Sequence, residues 1–188
     1  DVCAAPGGKT MQLAAMGAKV LAVDRSASRL KRLYENIERT GFVDQVHVLE
    51  DDAASWSPEN AIDHILLDAP CSATGTLRRN PDGQWLKGPK DVENLAVLQK
   101  EILEHNWQLL AKGGRLIYCV CSLQREEGQD QIEAFLSRHK DAKLVPIRSR
   151  DVGGLNKLVT PEGYLLTRPD HLAKKGGMDG FFAARIDR

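Results

Sequence analysis

The sequence predicts an α/β protein built on a mostly parallel, doubly wound sheet. One observation behind this is the regular alternation of short apolar, β-rich runs with stretches of helical periodicity. Such alternation requires crossover connections and a sheet covered on both faces. A second is that Cys3–Lys9, Asp24, Asp52, Asp68 and Cys121 all fall at the carboxyl ends of the expected strands. Open α/β sheets bind ligands there.

In chain order, Asp1-Val2-Cys3 reads as the last residues of a strand that a doubly wound sheet holds at its centre. We therefore expect the chain to be a piece of a longer polypeptide, truncated at its first strand. Ala4–Gly8 forms a tight loop, and Lys9–Met16 a short helix ending near Gly17. Lys19–Asp24 is a buried strand with an acidic end. Ser26 caps a helix in which Leu30, Leu33, Tyr34 and Ile37 recur at helical spacing, closing near Gly41. Gln45–Leu49 and Ile62–Leu67 are the next strands. The polar loop Arg78–Gly83 leads to a long helix over about Val92–Leu110, with Leu95, Leu98, Ile102 and Leu109 on one face. Gly113-Gly114 ends it, and Arg115–Val120 is a further strand. A helix over about Glu126–Arg138 precedes a weak strand at Leu144–Ile147. Residues 148–178 read as a long surface loop, and Phe181–Ile186 as the closing strand.

The 188 residues are 42% hydrophobic and 28% charged, enough for one domain, 1–188, with a substantial core. Lys+Arg and Asp+Glu are 26 each, so net charge neither favours nor excludes a nucleic-acid partner. With no signal-peptide pattern and no membrane-length apolar run, a cytoplasmic location is expected. Cys3, Cys71, Cys119 and Cys121 lack CxxC spacing and the five histidines are scattered, which argues against structural zinc and a disulfide framework. No metal is expected.

The stretch Asp68-Ala-Pro-Cys71-Ser-Ala-Thr-Gly75 follows the apolar run Ile65–Leu67. Pro70 fixes its own φ and holds residue 69 extended, which gives Asp68 and Cys71 a defined relation. Read alone, it is equally an ordinary turn with Cys71 as a small buried hydrophobe.

Three nucleotide readings compete. Gly7-Gly8-Lys9-Thr10 looks like the end of a P-loop, but Cys3 stands where that motif needs its first glycine. The dinucleotide fingerprint GxGxxG is absent. S-adenosylmethionine fits better: Gly7 and Gly8 allow close backbone approach, and Asp24 can accept from both ribose hydroxyls. Asp24 also fits a plain helix-leading acid beside Ser26. Asp51 and Asp52 are adjacent, and only one is expected at the site.

Cys3-Ala-Ala-Pro-Gly-Gly-Lys-Thr10, Asp68–Gly75 and Tyr118-Cys-Val-Cys-Ser122 resemble the RNA cytosine-5 methyltransferases, with the Sun/Fmu-type enzymes of 16S ribosomal RNA as the nearest likeness. Arg78-Arg79-Asn-Pro-Asp82 and Asp179-Gly-Phe-Phe182 fit too, so the likeness spans essentially the whole chain. It implies a Rossmann-like domain that uses S-adenosylmethionine to make 5-methylcytosine in RNA. Carried over by motif, Cys3, Ala4, Ala5, Pro6, Gly7, Gly8, Lys9, Asp24, Asp52 and Asp68 line the cofactor site. Cys121 is then the nucleophile and Cys71 the second catalytic cysteine. The family usually has Thr at Val120 and Ala or Ser at Cys119, which removes a hydroxyl beside the nucleophile. Sun/Fmu-type proteins also carry an N-terminal RNA-binding domain of the NusB kind, which these residues do not include.

The chemistry asks for the same parts. Carbon 5 of cytosine is a poor nucleophile until a thiolate adds to carbon 6. A free thiol is only a few per cent ionised at pH 7, so Cys121 needs help, here expected from a following helix and from Lys9. Asp68 suits the exocyclic amine or ring nitrogen of the base. Cys71 is the candidate for release. By the two-residue period, Cys119 and Cys121 share a strand face and either fits core filler. That reading is preferred for Cys119, but not for Cys121 with Ser122 at the strand exit. Arg78 and Arg79 fit solvated charges or a grip on RNA phosphate. Trp85 fits burial or stacking on a flipped base, and Lys174-Lys175 fits plain surface. A monomer is favoured. Two rival functions are a DNA cytosine-5 methyltransferase, against which Tyr118–Ser122 argues, and a non-catalytic RNA-binding or ribosome-assembly factor retaining the fold.

Overall fold

The computed structural model describes all 188 residues. Its chain runs α1 (Gly8–Ala15), β1 (Val20–Asp24), α2 (Ala27–Thr40), β2 (Val46–Glu50), β3 (Ile62–Asp68), α3 (Gly83–Leu86), α4 (Pro89–Leu109), β4 (Leu110–Val120), α5 (Gln129–Arg138), β5 (Lys143–Leu144), β6 (Leu165–Thr167) and β7 (Phe181–Asp187). β1 pairs with β2 and β3 with β4, both parallel. Val2 bridges Val23 and Leu67 in parallel and so joins the two halves, as expected for the end of a central strand. The Val2 N–H donates to the Leu66 carbonyl at 2.8 Å, and the Val23 N–H to the Asp1 carbonyl at 2.8 Å. β7 runs antiparallel to β4, with β5 and β6 on its other edge.

Alternation along the strands supplies both faces. Val23, Leu67, Leu116 and Tyr118 meet Ile102, Leu103 and Trp107 of α4 and Ile132 and Phe135 of α5 in the larger core. Val20, Ala22 and Val46 meet Leu30, Leu33 and Ile37 of α2 in the smaller one. Each such buried aliphatic side chain contributes about 1.5–3 kcal/mol. Ser26 caps α2, its hydroxyl accepting from the Arg29 N–H at 3.4 Å, and Gly41 closes the helix in the left-handed region at φ 75°. Tyr34, expected on the apolar face, is exposed.

Several boundaries differ from the sequence reading. α4 begins at Pro89 rather than Val92, because Pro suits a first helical position and the Asp91 carboxylate accepts from the Gly88 N–H at 2.8 Å. Its fully buried stripe is Gln99, Ile102, Leu103, Asn106 and Trp107, while Leu95, Leu98 and Leu109 are half-buried. Gly113-Gly114 lies inside β4, where pairing jumps from Ile62↔Leu110 to His64↔Arg115 and Gly113 takes φ 79°. The helix expected over 126–138 is split at Gly128 into the 3₁₀ turn Arg125–Glu127 and α5. The weak strand shrinks to Lys143–Leu144, since Pro146 has no N–H to extend it. Residues 148–178 hold β6 and short 3₁₀ turns. No helix is long and apolar enough to cross a membrane.

Candidate active site

The strand ends meet at one edge of the sheet. A cleft of about 270 Å³ opens there, walled by Cys3, Asp24, Asp52, Asp68, Cys71 and Cys121, together with Arg25, Arg29, Leu98 and Ile102. These strand-end residues were the ones expected to converge. Ala4 to Lys9 form the adjoining loop and helix start instead of the wall. Ala4 and Ala5 are buried. Gly7, at φ 98°, packs on Leu33 so closely that a Cβ would overlap that side chain, whereas Gly8 faces open space.

At one end, Asp24 is 4% exposed, its Oδ2 accepting from the Ala5 N–H and its Oδ1 from the Ser26 N–H, both at 3.0 Å. Asp24 is thus tied to the Ala4–Gly8 loop as well as leading the α2 cap. Arg29 lies 3.6 Å from its carboxylate. The adjacent acids separate: Asp52 faces the cleft, accepts from the Ala54 N–H at 2.9 Å and stands 3.5 Å from Arg25. Asp51 accepts from the Asp52 N–H at 2.7 Å and is not part of the wall.

At the other end, the Sγ atoms of Cys71 and Cys121 stand 3.5 Å apart. The Cys71 S–H as donor lowers Cys121 to about 7, against burial and the Asp68 charge, with Lys9 adding a smaller pull. The same interaction, and burial, push Cys71 well up. Cys121 is therefore the readier thiolate. Lys9 was expected beside Cys121, but its Nζ donates to Asp68 Oδ2 at 2.8 Å. Burial opposes its charge, yet the Asp68 bond and charge outweigh that and raise it. Nor does a helix start follow Cys121 directly, since α5 begins at Gln129. Cys119, read as filler, is buried, and its thiol also donates to Asp68 Oδ1 at 3.6 Å. Both carboxylate oxygens of Asp68 are thereby held.

The sequence reading missed Glu127, a fully buried acid. Its carboxylate accepts from the Ser72 N–H at 2.8 Å, from Gln99 Nε2 at 3.0 Å and from the Ser72 hydroxyl. The sequence places it only in the first turn of the helix expected over about Glu126–Arg138, with no pattern that marks it as buried. The capping of the neighbouring loop is also side-chain based: Ser72 and Ser122 hydroxyls lie 3.1 Å apart, and Thr74 and Ser122 hydroxyls 3.2 Å apart.

Arg78 and Arg79 both pair with Asp179, the former at 3.1 Å, which ties the loop after Gly75 to the entry of β7. Trp85 is 82% exposed, which excludes the burial alternative within this chain. Lys174 and Lys175 are exposed, as expected of plain surface. No group of three or more His, Cys, Asp or Glu side chains is gathered as a metal site.

The family model of the 16S rRNA methyltransferases RsmB/F matches residues 1–187. The ribosomal RNA small subunit methyltransferase B of Shewanella oneidensis is 43% identical over 99% of this chain, and the match covers 42% of that protein. The chain thus spans less than half the length of the curated relatives it matches. The crystal structure of PH0851 superposes with a TM-score of 0.86 at 34% identity, over 100% of this chain and 42% of that one. NSun6 from Pyrococcus horikoshii, solved with SFG, gives 0.79 at 30% identity, over 98% of this chain and 46% of that one. The superpositions place the fold among the Rossmann-like methyltransferases. By the family match over nearly its whole length and by the identity of its relatives, the chain belongs to the RsmB/F family of 16S rRNA methyltransferases.

Proposed function

We propose that residues 1–188 are the catalytic domain of a longer RNA (cytosine-5) methyltransferase that acts on 16S ribosomal RNA. The observation that carries the reading is the 3.5 Å pair of Cys71 and Cys121 beside Asp68, in the same cleft as Asp24. S-adenosylmethionine, when bound, supplies an electrophilic methyl group. The cleft fits it: Asp24 offers a buried carboxylate of the kind that holds ribose hydroxyls, and Asp52 a second acceptor along the same wall. The family's other carried-over residues, Cys3, Ala4, Ala5, Pro6, Gly7, Gly8 and Lys9, form the loop that Asp24 fastens through Ala5.

In this reading the Cys121 thiolate adds to carbon 6 of cytosine, and the electron pair displaced from the ring's double bond makes carbon 5 nucleophilic. Asp68, held by Lys9 and Cys119, anchors the amine edge of the base and offsets charge that develops there. Once carbon 5 carries the methyl group it loses its proton to water or another base. The resulting electron pair re-forms the double bond, and the bond from sulfur to carbon 6 breaks. Cys121 leaves as thiolate and again accepts the Cys71 S–H, so Cys71 assists release.

Mapping 5-methylcytosine in ribosomal RNA from cells with and without the full-length protein tests this. One or more 16S positions are expected to lose the mark and regain it on complementation. An unchanged map contradicts the reading. A non-catalytic assembly role predicts that complementation by Cys121→Ala restores ribosome maturation with no methyl group added.

A further inference from the structure

We propose that Glu127, together with Gln99, is a positioning residue that sets the separation of the two cleft thiols; the assignment rests on reading Cys71 and Cys121 as the reacting pair. Glu127 lies six residues after Cys121, in the 3₁₀ turn that follows β4, and its side chain crosses to the other thiol's segment. There it takes the backbone N–H of Ser72, the residue after Cys71. Gln99 Nε2 bridges Glu127 at 3.0 Å and the Pro70 carbonyl at 2.8 Å, fastening the residue before Cys71. Tyr118 fixes the anchor itself, its hydroxyl donating to the Glu127 carbonyl at 2.7 Å.

Donor counting gives the hydroxyls a direction. The Ser72 hydroxyl gives its one proton to Glu127, and the Ser122 hydroxyl gives its own to Ser72. That leaves Thr74, whose Oγ1 also accepts from the Leu123 N–H, as the donor to Ser122. The residues that follow Cys71 and Cys121 are thus laced together by a run that ends on the Glu127 carboxylate. Glu127 has no ion-pair partner and is fully buried, so as mere filling it is a poor choice over an apolar side chain of equal size. Its hydrogen bonds all go to the fastening of one thiol segment to the other.

The test compares Glu127→Gln, which retains hydrogen bonding, with Glu127→Met, which retains only bulk, in the full-length protein. Ser72→Ala, which interrupts the hydroxyl run alone, serves if the Met variant does not fold. The readout is the pH dependence of iodoacetamide modification at Cys121, located by peptide mass spectrometry, which needs no RNA. Asp68, Lys9, Cys71, Cys119 and Arg79, the ionisable groups facing Cys121, are unchanged in all three. Glu127→Gln is expected to keep the inflection near about 7. Glu127→Met and Ser72→Ala are expected to move it toward the ordinary thiol value, lowering the modification rate at pH 7 roughly tenfold for Met and less for Ser72→Ala. S-adenosylmethionine affinity stays the same. Folded Met and Ser72→Ala variants with the wild-type inflection overturn the proposal. A wild-type protein that shows the thiol shifts but methylates no cytosine overturns the functional reading instead.

Discussion

Cys71 Sγ and Cys121 Sγ lie within 3.5 Å although fifty positions separate them, because parallel β3 and β4 end side by side. The contact makes the two thiols unequal: Cys71 keeps its proton and donates, and Cys121 falls to about 7. Alkylation at neutral pH is expected to label Cys121 well before Cys71. Cys71→Ala removes the donor and is expected to carry the Cys121 inflection upward by about one unit. Equal labelling of both thiols at pH 7, read by mass spectrometry, contradicts the assignment of donor and acceptor.

Asp24→Ala is expected to weaken S-adenosylmethionine binding by roughly 1.5–3 kcal/mol through lost charge-assisted hydrogen bonds. Asp24 also holds the Ala5 and Ser26 N–H groups, so calorimetry must be paired with a melting curve. Undiminished affinity in a folded variant removes Asp24 from the cofactor site.

Cys3 gives the chain a weakness at alkaline pH. Burial first, and then the facing Asp24 and Asp68 carboxylates, push its thiol up to about 12 from 9.0. The unfolded thiol ionises first, so the stability this group contributes is fully present below about 9 and is lost as pH rises toward 12. The loss is at most about 1.4 kcal/mol per pH unit. Urea titrations at pH 8.5 and 10.5 are expected to show a smaller drop for Cys3→Ala than for the wild type. Parallel drops would show that Cys3 is not a source of the alkaline loss.

Gly75 joins the loop that carries Cys71 to two neighbours: its N–H donates to the Cys121 carbonyl at 3.0 Å, and its carbonyl accepts from the Gly180 N–H at 2.7 Å. A Cβ here would overlap the Gly180 backbone, 2.6 Å from its carbonyl carbon. Gly75→Ala is expected to cost about 1–3 kcal/mol in denaturant unfolding. A variant as stable as the wild type would mean that the loop can shift away from β7.

Much of this was legible in the sequence, for identifiable reasons. The strand ends announced themselves through apolar runs closed by Asp24 and Asp68, and Ser26 and Gly41 marked α2 by their capping chemistry. The buried side of α4 was less legible because Gln99 and Asn106 sit on it, and apolar periodicity does not count polar residues. Asn106 earns its place by accepting from Trp56 Nε1 and donating to the Ala53 carbonyl. Glu127 was hidden for a related reason: its partners Ser72 and Gln99 are 55 and 28 residues away, and no local pattern links them. The environment of Cys121 was half legible. A lowered thiol was expected, but its main cause is Cys71, while Lys9 is engaged with Asp68.

The central claim, that Cys121 attacks the base and Cys71 assists release, is tested most directly by denaturing electrophoresis of full-length Cys71→Ala after incubation with substrate RNA and S-adenosylmethionine. A covalent protein–RNA band is expected. Attack and methyl transfer proceed, but departure of Cys121 loses its S–H donor. The band should vanish in the double variant Cys71→Ala, Cys121→Ala, and Cys121→Ala alone should neither methylate nor crosslink. A persistent band from Cys121→Ala with none from Cys71→Ala would make Cys71 the nucleophile and reverse the roles of the two thiols.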